Sequence, residues 1–285
     1  MTEEARPRFV LRRPPSPRGG VAGKVARVAG LARRLAPLGT GPVDRLRLLA
    51  APFPMLLAER LGHELRMTVS IRAFGRSGRC TLSHYSHLLL LEGIFLDGDY
   101  TLEPRREPQA IVDLGSNIGL SILYFRLRFP GARIVGVEPD PEAFRLLARN
   151  AGRLDDVAVR QAAVGDREGT VTLWSGPGAT ASALEHSHEL QRPVEVPVLP
   201  LERVLADAAI ERVDILKLVV EGSEFRALRS LGDLSRLDAI TGEVLFVDGD
   251  PDRSAEAFRA LLSDFDVSLD YDKGDGFWAF HAYRR

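Results

Sequence analysis

Three carboxylates and two glycines in this 285-residue chain are spaced to hold a ligand rich in hydroxyl and amino groups. Asp113 sits in a short apolar run, Gly115 and Gly119 bracket Ser116 and Asn117, Glu138 ends the next apolar run, and Asp166 follows a third. A carboxylate accepts hydrogen bonds from two adjacent ribose hydroxyls at once, which suits Glu138, with Pro139 beside it. Asp166 is placed to accept from an adenine amino group, with the backbone at Ala163 and Val164 flanking the ring. Asp113 and the loop backbone are left to handle the rest of the ligand. Taken alone, Glu138 reads as a solvated strand end. Together the three acids point to a nucleoside cofactor in the crevice beyond the carboxyl ends of parallel strands.

The loop spacing narrows the choice of cofactor. Dinucleotide sites use Gly-x-Gly-x-x-Gly, whose second glycine lets a pyrophosphate approach a helix N-terminus. Here the spacing is Gly115-x-x-x-Gly119, with Asp113 upstream and Asn117 where a phosphate would rest. A cation carrying an amino group fits better, and S-adenosylmethionine offers both a sulfonium and an ammonium.

Elements that must position these residues follow from hydrophobic periodicity. Residues 111–114, 133–137 and 157–164 read as strands, and 120–129 and 141–150 as helices, the second with Asp140 as N-cap and Pro141 in its first turn. Further on, 169–174 reads as a short extra strand, followed by 194–199, a helix at 201–208, a strand at 214–220 and a helix at 223–231. A strand at 239–246 and a helix at 254–262 precede an antiparallel hairpin of 267–271 and 277–283. This alternation implies a doubly wound α/β sheet with an antiparallel edge. Upstream, residues 1–20 read as a disordered tail and 21–108 as a mostly helical N-terminal subdomain. Within it 43–61 is helical, 67–74 a short strand and 82–95 a helix, and residues 103–108 form the boundary before a main domain at 109–285. His84, Tyr85 and His87 are candidates for a substrate pocket, although isolated histidines on helices are more often surface or satisfied core residues. Residues 21–38 read as a basic amphipathic helix that either packs on the domain with its arginines in water or lies on a membrane or nucleic acid.

At this point a resemblance is explicit. Residues 111–119, Val137-Glu138-Pro139-Asp140, residues 162–166 and residues 214–224 look like the FkbM-type methyltransferases, and Gly93-Ile94-Phe95-Leu96-Asp97-Gly98-Asp99-Tyr100 is also similar to that family. The resemblance implies a seven-stranded class I methyltransferase fold of the Rossmann-like kind, using S-adenosylmethionine. The family acts mainly as O-methyltransferases on hydroxyls of sugars, glycans and polyketide-type natural products. Carried over by position, Asp113, Gly115, Asn117 and Gly119 form the cofactor loop, Glu138 holds the ribose and Asp166 the adenine.

The chain departs from the family at one place. The last motif usually reads Leu-Lys-(apolar)-Asp-(apolar)-Glu-Gly, and Val219 stands where the aspartate should be. With an activated sulfonium, the enzyme's task is alignment plus removal of a hydroxyl proton, and valine cannot take a proton. Strand alternation would put Lys217, Val219 and Glu221 on one face, with neighbours about 6.6 Å apart. Glu221 is then a candidate base and Lys217 a candidate stabiliser of an alkoxide; the structural alternative is an ion pair between them, with Ser223 capping the next helix. His186 and His188 are further base candidates.

Composition sets outer limits. With one cysteine, Cys80, the chain can form neither an intramolecular disulfide nor a Cys/His zinc motif, which fits a cytoplasmic protein without a bound metal. The net charge of −1 gives no global steering to nucleic acid, and the main domain lacks a basic stripe with interleaved aromatics. No apolar run approaches the roughly 18 residues of a membrane span. The expectation is an S-adenosylmethionine-dependent O-methyltransferase for a small-molecule or glycan hydroxyl. The competing expectation is a cofactor-binding scaffold of the same fold that has lost catalysis.

Overall fold

The computed structural model describes residues 21–176, 192–274 and 276–285. The chain opens with α1 (Val21–Leu35), α2 (Pro42–Ala50), α3 (Pro52–Arg60), the hairpin β1 (Met67–Ala73) and β2 (Arg76–Leu82), and α4 (Tyr85–Glu92). The main alternation follows: β3 (Ala110–Leu114), α5 (Leu120–Arg128), β4 (Arg133–Val137), α6 (Pro141–Ala151), β5 (Val157–Arg160), β6 (Ala163–Gly165), β7 (Gly169–Ser175) and β8 (Arg192–Pro200). It continues through α7 (Leu201–Asp207), β9 (Val213–Leu218), α8 (Glu224–Arg229), β10 (Leu237–Leu245), α9 (Ala255–Leu261), β11 (Phe265–Gly274) and β12 (Phe277–Arg284).

Seven strands form one sheet in the order β11-β12-β10-β9-β3-β4-β5. The five strands from β10 to β5 are parallel, while β12 runs antiparallel between β10 and β11, so the predicted terminal hairpin supplies the antiparallel edge. This is the expected doubly wound, Rossmann-like methyltransferase sheet. Strands β3, β4 and β9 are buried on both faces, and strand alternation divides their side chains between two cores, whereas the edge strand β5 leaves Ala158 and Arg160 exposed. Val112, Leu114, Val135, Val137, Leu216 and Leu218 face α7, α8 and α9. Ile111, Ile134 and Ile215 face α5 and α6, in a core that also takes in Leu31, Leu48, Met55, Ile71, Leu82 and Leu91 from the N-terminal segment.

Three sequence expectations change in detail. The run 157–164 is not one strand: β5 stays in the main sheet, whereas β6 pairs with β8, which with β7 makes a separate three-stranded sheet. Strand β2 escaped the reading because Arg76-Ser77-Gly78-Arg79 has little strand propensity; the tight turn at Phe74 and Gly75, both at positive φ, folds it back on β1. The strand expected at 214–220 ends at Leu218, ahead of a turn in which Glu221 (φ +50°) and Gly222 (φ +96°) are left-handed.

The apolar side of α1 (Val28, Leu31, Ala32, Leu35) is buried against the domain, and Arg34 on its outer side pairs with Glu92 at 2.7 Å and Asp97 at 2.5 Å. Among the described residues, no helix is long and apolar enough to cross a membrane.

Candidate functional site

A cavity of about 390 Å³ opens at the carboxyl ends of β3, β4 and β9, the position at which open α/β sheets bind ligands. Its floor is the loop after β3. Gly115 turns at φ +77°, and the N–H groups of Gly115 and Ser116 both donate to the Val137 carbonyl, at 2.9 and 3.0 Å. Asn117, also left-handed, accepts from the Ile118 N–H through its own side chain at 2.7 Å. Gly119 (φ +85°) then begins α5.

The two glycines are required for different reasons. A Cβ on Gly115 would stand 1.8 Å from the Val219 carbonyl oxygen, so the loop lies flat on the end of β9. A Cβ on Gly119 would stand 2.9 Å from a Leu147 methyl, so this glycine lets α6 pack close behind the loop and does not line the cavity. Gly115→Ala combines a backbone clash with a disfavoured φ and is expected to cost about 2–5 kcal/mol. A thermal melt within a degree of wild type would contradict that packing.

Asp113 and Lys217 are register partners on adjacent parallel strands and point to the same face. Both are buried, and the Lys217 Nζ lies 3.1 Å from Asp113 Oδ1. The same ammonium donates to the Gly115 carbonyl at 2.5 Å and to the Leu114 carbonyl at 3.3 Å, and lies 5.4 Å from the centre of the Tyr100 ring. Ser121 donates to Asp113 at 2.5 Å. Asp113 therefore stands beneath the cavity, fixing the lysine that fixes the loop. The ion pair considered between Lys217 and Glu221 does not form, because register delivers Asp113 to the lysine first. Ser223 occupies the N-cap position of α8 without a side-chain capping bond; Glu224 binds that turn instead, accepting from the N–H groups of Val220 at 3.2 Å and Gly222 at 3.1 Å.

Glu138 is buried at the end of β4, where it accepts from the N–H of Asn117 at 2.7 Å and of Asp140 at 2.9 Å. Burial, opposed by those two bonds, pushes its carboxyl up to about 7. Glu221 is also pushed up to about 7, by burial first and then by the like charges of Glu243 and Glu224. Although its strand ends early, Glu221 reaches the same cavity as Lys217 and Val219. Pro139, Ala163 and Val164 join Val137 and Leu173 in an apolar slot beside Glu138. Asp166 is exposed and does not line the cavity: it follows the end of β6, whose Ala163 and Val164 do line it.

The far wall comes from residues the sequence reading did not single out individually: Ser86, Leu89 and Leu90 of α4, and Ile94, Asp99 and Tyr100 after it. Helix α4 continues through a π-helical turn, Gly93–Asp97, stopped by left-handed Gly98, which turns the chain toward Asp99 and Tyr100. The motif beginning at Gly93 was the available signal. Glu243 of β10 is another unforeseen lining residue. His84 and His87 are buried, their rings edge to face at 5.3 Å, and neither they nor Tyr85 line the cavity. His87 Nδ1 accepts from the N–H groups of Ser83 and His84, and burial lowers its imidazole to about 3. It is a neutral core histidine. His186 and His188 lie outside the described residues.

Comparison with known proteins places the chain in a family. The family model for the methyltransferase FkbM domain matches residues 113–270. The chain is 31% identical to the 31-O-demethyl-FK506 methyltransferase FkbM of Streptomyces tacrolimicus over 178 residues, covering 50% of this chain and 68% of that protein. It is 28% identical to Methyltransferase 1 of Beauveria bassiana over 162 residues, 49% of this chain and 65% of that one. The crystal structure of Methyltransferase FkbM from Methylobacillus flagellatus aligns with a TM-score of 0.45 at 14% identity, over 91% of this chain and 60% of that one. The chain thus spans somewhat less than two thirds of the length of two of these three proteins. With more than half of its residues matching the family model, the chain belongs to the FkbM methyltransferase family.

Proposed function

We propose that this chain is an S-adenosylmethionine-dependent O-methyltransferase acting on a hydroxyl of a sugar, glycan or secondary metabolite. The observation that carries the cofactor is the charge of the cavity: Asp99, Glu138, Glu221 and Glu243 line it against one ammonium, Lys217. Such a site favours a cation over a phosphate. When bound, S-adenosylmethionine supplies a methyl group on a positively charged sulfur. Glu138 would accept from the ribose hydroxyls with the lone pairs its two backbone bonds leave free. Pro139, Ala163 and Val164 would flank the adenine, and Gly115, Ser116 and Asn117 would supply loop backbone to the rest.

Removing the hydroxyl proton falls to Glu221. Its carboxylate is poised near neutrality, as a base working near pH 7 requires. The Streptomyces relative is by name a 31-O-demethyl-FK506 methyltransferase, which supports transfer to oxygen here. Lys217 is a positioning residue in this reading, since its ammonium is engaged with Asp113 and two carbonyls.

Calorimetric titration tests the cofactor. S-adenosylmethionine is expected to bind wild type, and Glu138→Gln to bind about 10–100-fold more weakly, the value of a charged acceptor's hydrogen bonds. A wild-type protein that gives no heat with the cofactor overturns the proposal. Val219 favours a second reading, a scaffold that binds the cofactor without transferring the methyl. Methyl transfer seen only with Val219→Asp, over a panel of sugar and polyketide hydroxyls, would establish the scaffold; transfer by wild type excludes it.

A further inference from the structure

The large hydrophobic side chains left exposed in the described residues all lie between Val25 and Leu96. Six of them, Val43, Leu46, Leu49, Phe53, Leu57 and Leu61, recur every three or four residues along α2 and α3 and are 45–64% exposed. Ala51 joins the two helices in right-handed helical conformation, donating to the Arg47 carbonyl at 2.9 Å and accepting from the Met55 N–H at 3.0 Å. The six therefore form one stripe, while Leu48, Ala51 and Met55 on the opposite side are buried. A contiguous apolar stripe in water marks a surface that something covers.

Two independent observations identify what covers it. Charge along the chain is sharply divided: residues 1–82 carry 16 Lys and Arg against 5 Asp and Glu, and residues 83–285 carry 22 against 34, giving +11 and −12. Beside Val43, at one end of the stripe, a surface cleft is lined by Arg47, Arg66 and Arg79 together with Asp44, Thr68 and Ser70. Arg47 bonds to the Thr68 carbonyl at 3.3 Å and to Asp44 at 3.4 Å, and Arg66 pairs with Glu64 at 2.7 Å. Arg79 makes no ion pair among the described residues and reaches water. Guanidinium groups beside hydroxyls are phosphate-binding chemistry.

We propose that the α2–α3 face docks on an anionic phospholipid bilayer, with the apolar stripe entering the boundary between headgroups and acyl chains and the arginine cleft taking lipid phosphates. This is the geometry of a helix lying in the plane of an interface, held jointly by apolar burial and attraction to anionic lipid. A second copy of the chain is the poorer occupant, because pairing this face with itself brings together two copies of residues 21–82, which carry 11 Lys and Arg against 3 Asp and Glu. The same division of charge orients the docked protein, turning the acidic remainder away from the lipid.

Sedimentation of the full chain with vesicles tests the proposal. Binding is expected to vesicles of phosphatidylcholine containing phosphatidylglycerol, to be weak on phosphatidylcholine alone, and to fall with added salt. Arg66→Glu with Arg79→Glu is expected to lower partitioning more than about tenfold, and Leu46→Glu with Leu57→Glu to abolish it. All four side chains are exposed, so both double variants should keep the wild-type thermal midpoint. The proposal is overturned if wild type does not pellet with the anionic vesicles, or if both variants bind as wild type does. It is equally overturned if sedimentation velocity finds a dimer that Leu46→Glu with Leu57→Glu dissociates, which would assign the face to a second copy.

Discussion

Lys217→Met is expected to destabilise the protein by about 3–5 kcal/mol, a large share of the stability of any domain. The substitution leaves the Asp113 carboxylate fully buried with Ser121 as its remaining side-chain partner, and it frees the carbonyls of Leu114 and Gly115 from their ammonium donor. Breaking one side of a buried pair costs more than the pair contributes, because the surviving charge loses its compensation. Chemical denaturation of Lys217→Met, Asp113→Asn and the double variant separates the two effects. The double variant is expected to recover part of the loss, since it leaves no buried carboxylate. A Lys217→Met protein within about 1 kcal/mol of wild type would show that the pair does not hold the loop.

Glu221→Gln is expected to lower the rate of methyl transfer by about 10²–10⁴-fold, the usual contribution of a positioned base, while changing cofactor affinity little. Wild-type activity should fall about tenfold per pH unit below about 7, where the Glu221 carboxylate takes up its proton, and level off above it. The glutamine variant should lose that limb. Stability carries the opposite sign. With the folded group raised from 4.5 to about 7, the native state binds the proton more tightly than the unfolded chain does. Glu221's contribution is then full below about 4.5 and is lost as pH rises through 7. Melts of wild type and Glu221→Gln across this window should diverge in that direction. Equal pH–rate profiles for the two proteins would remove Glu221 from the chemistry.

Legibility followed the physical origin of each feature. Strands β3 and β4 could be read because they are buried on both faces and carry apolar runs, and α6 because Asp140 caps it and accepts from the N–H groups of Glu142 and Ala143. Gly115 and Glu138 were legible because backbone turns and strand ends constrain residue type locally. Asp113 was noticed for the right spacing, but its partner depends on register with a strand about a hundred residues away, which no local pattern encodes. Glu243 reaches the cavity through tertiary packing alone. Asp166 illustrates the converse, a residue whose sequence position suits the cofactor while its side chain stands exposed outside the cavity.

The shared core on the α5 and α6 side bears on where the chain can be cut. The family model matches residues 113–270, yet those limits are not structural joints. A fragment trimmed to them would uncover Leu123 and Leu127, which pack in one core with the N-terminal segment. It would also remove β12, leaving β11 with no strand between it and β10. The stretch that matches the family model and the stretch that shares one core are therefore different objects here. Cloning boundaries and module exchanges drawn from the matched stretch alone are expected to expose this core to water.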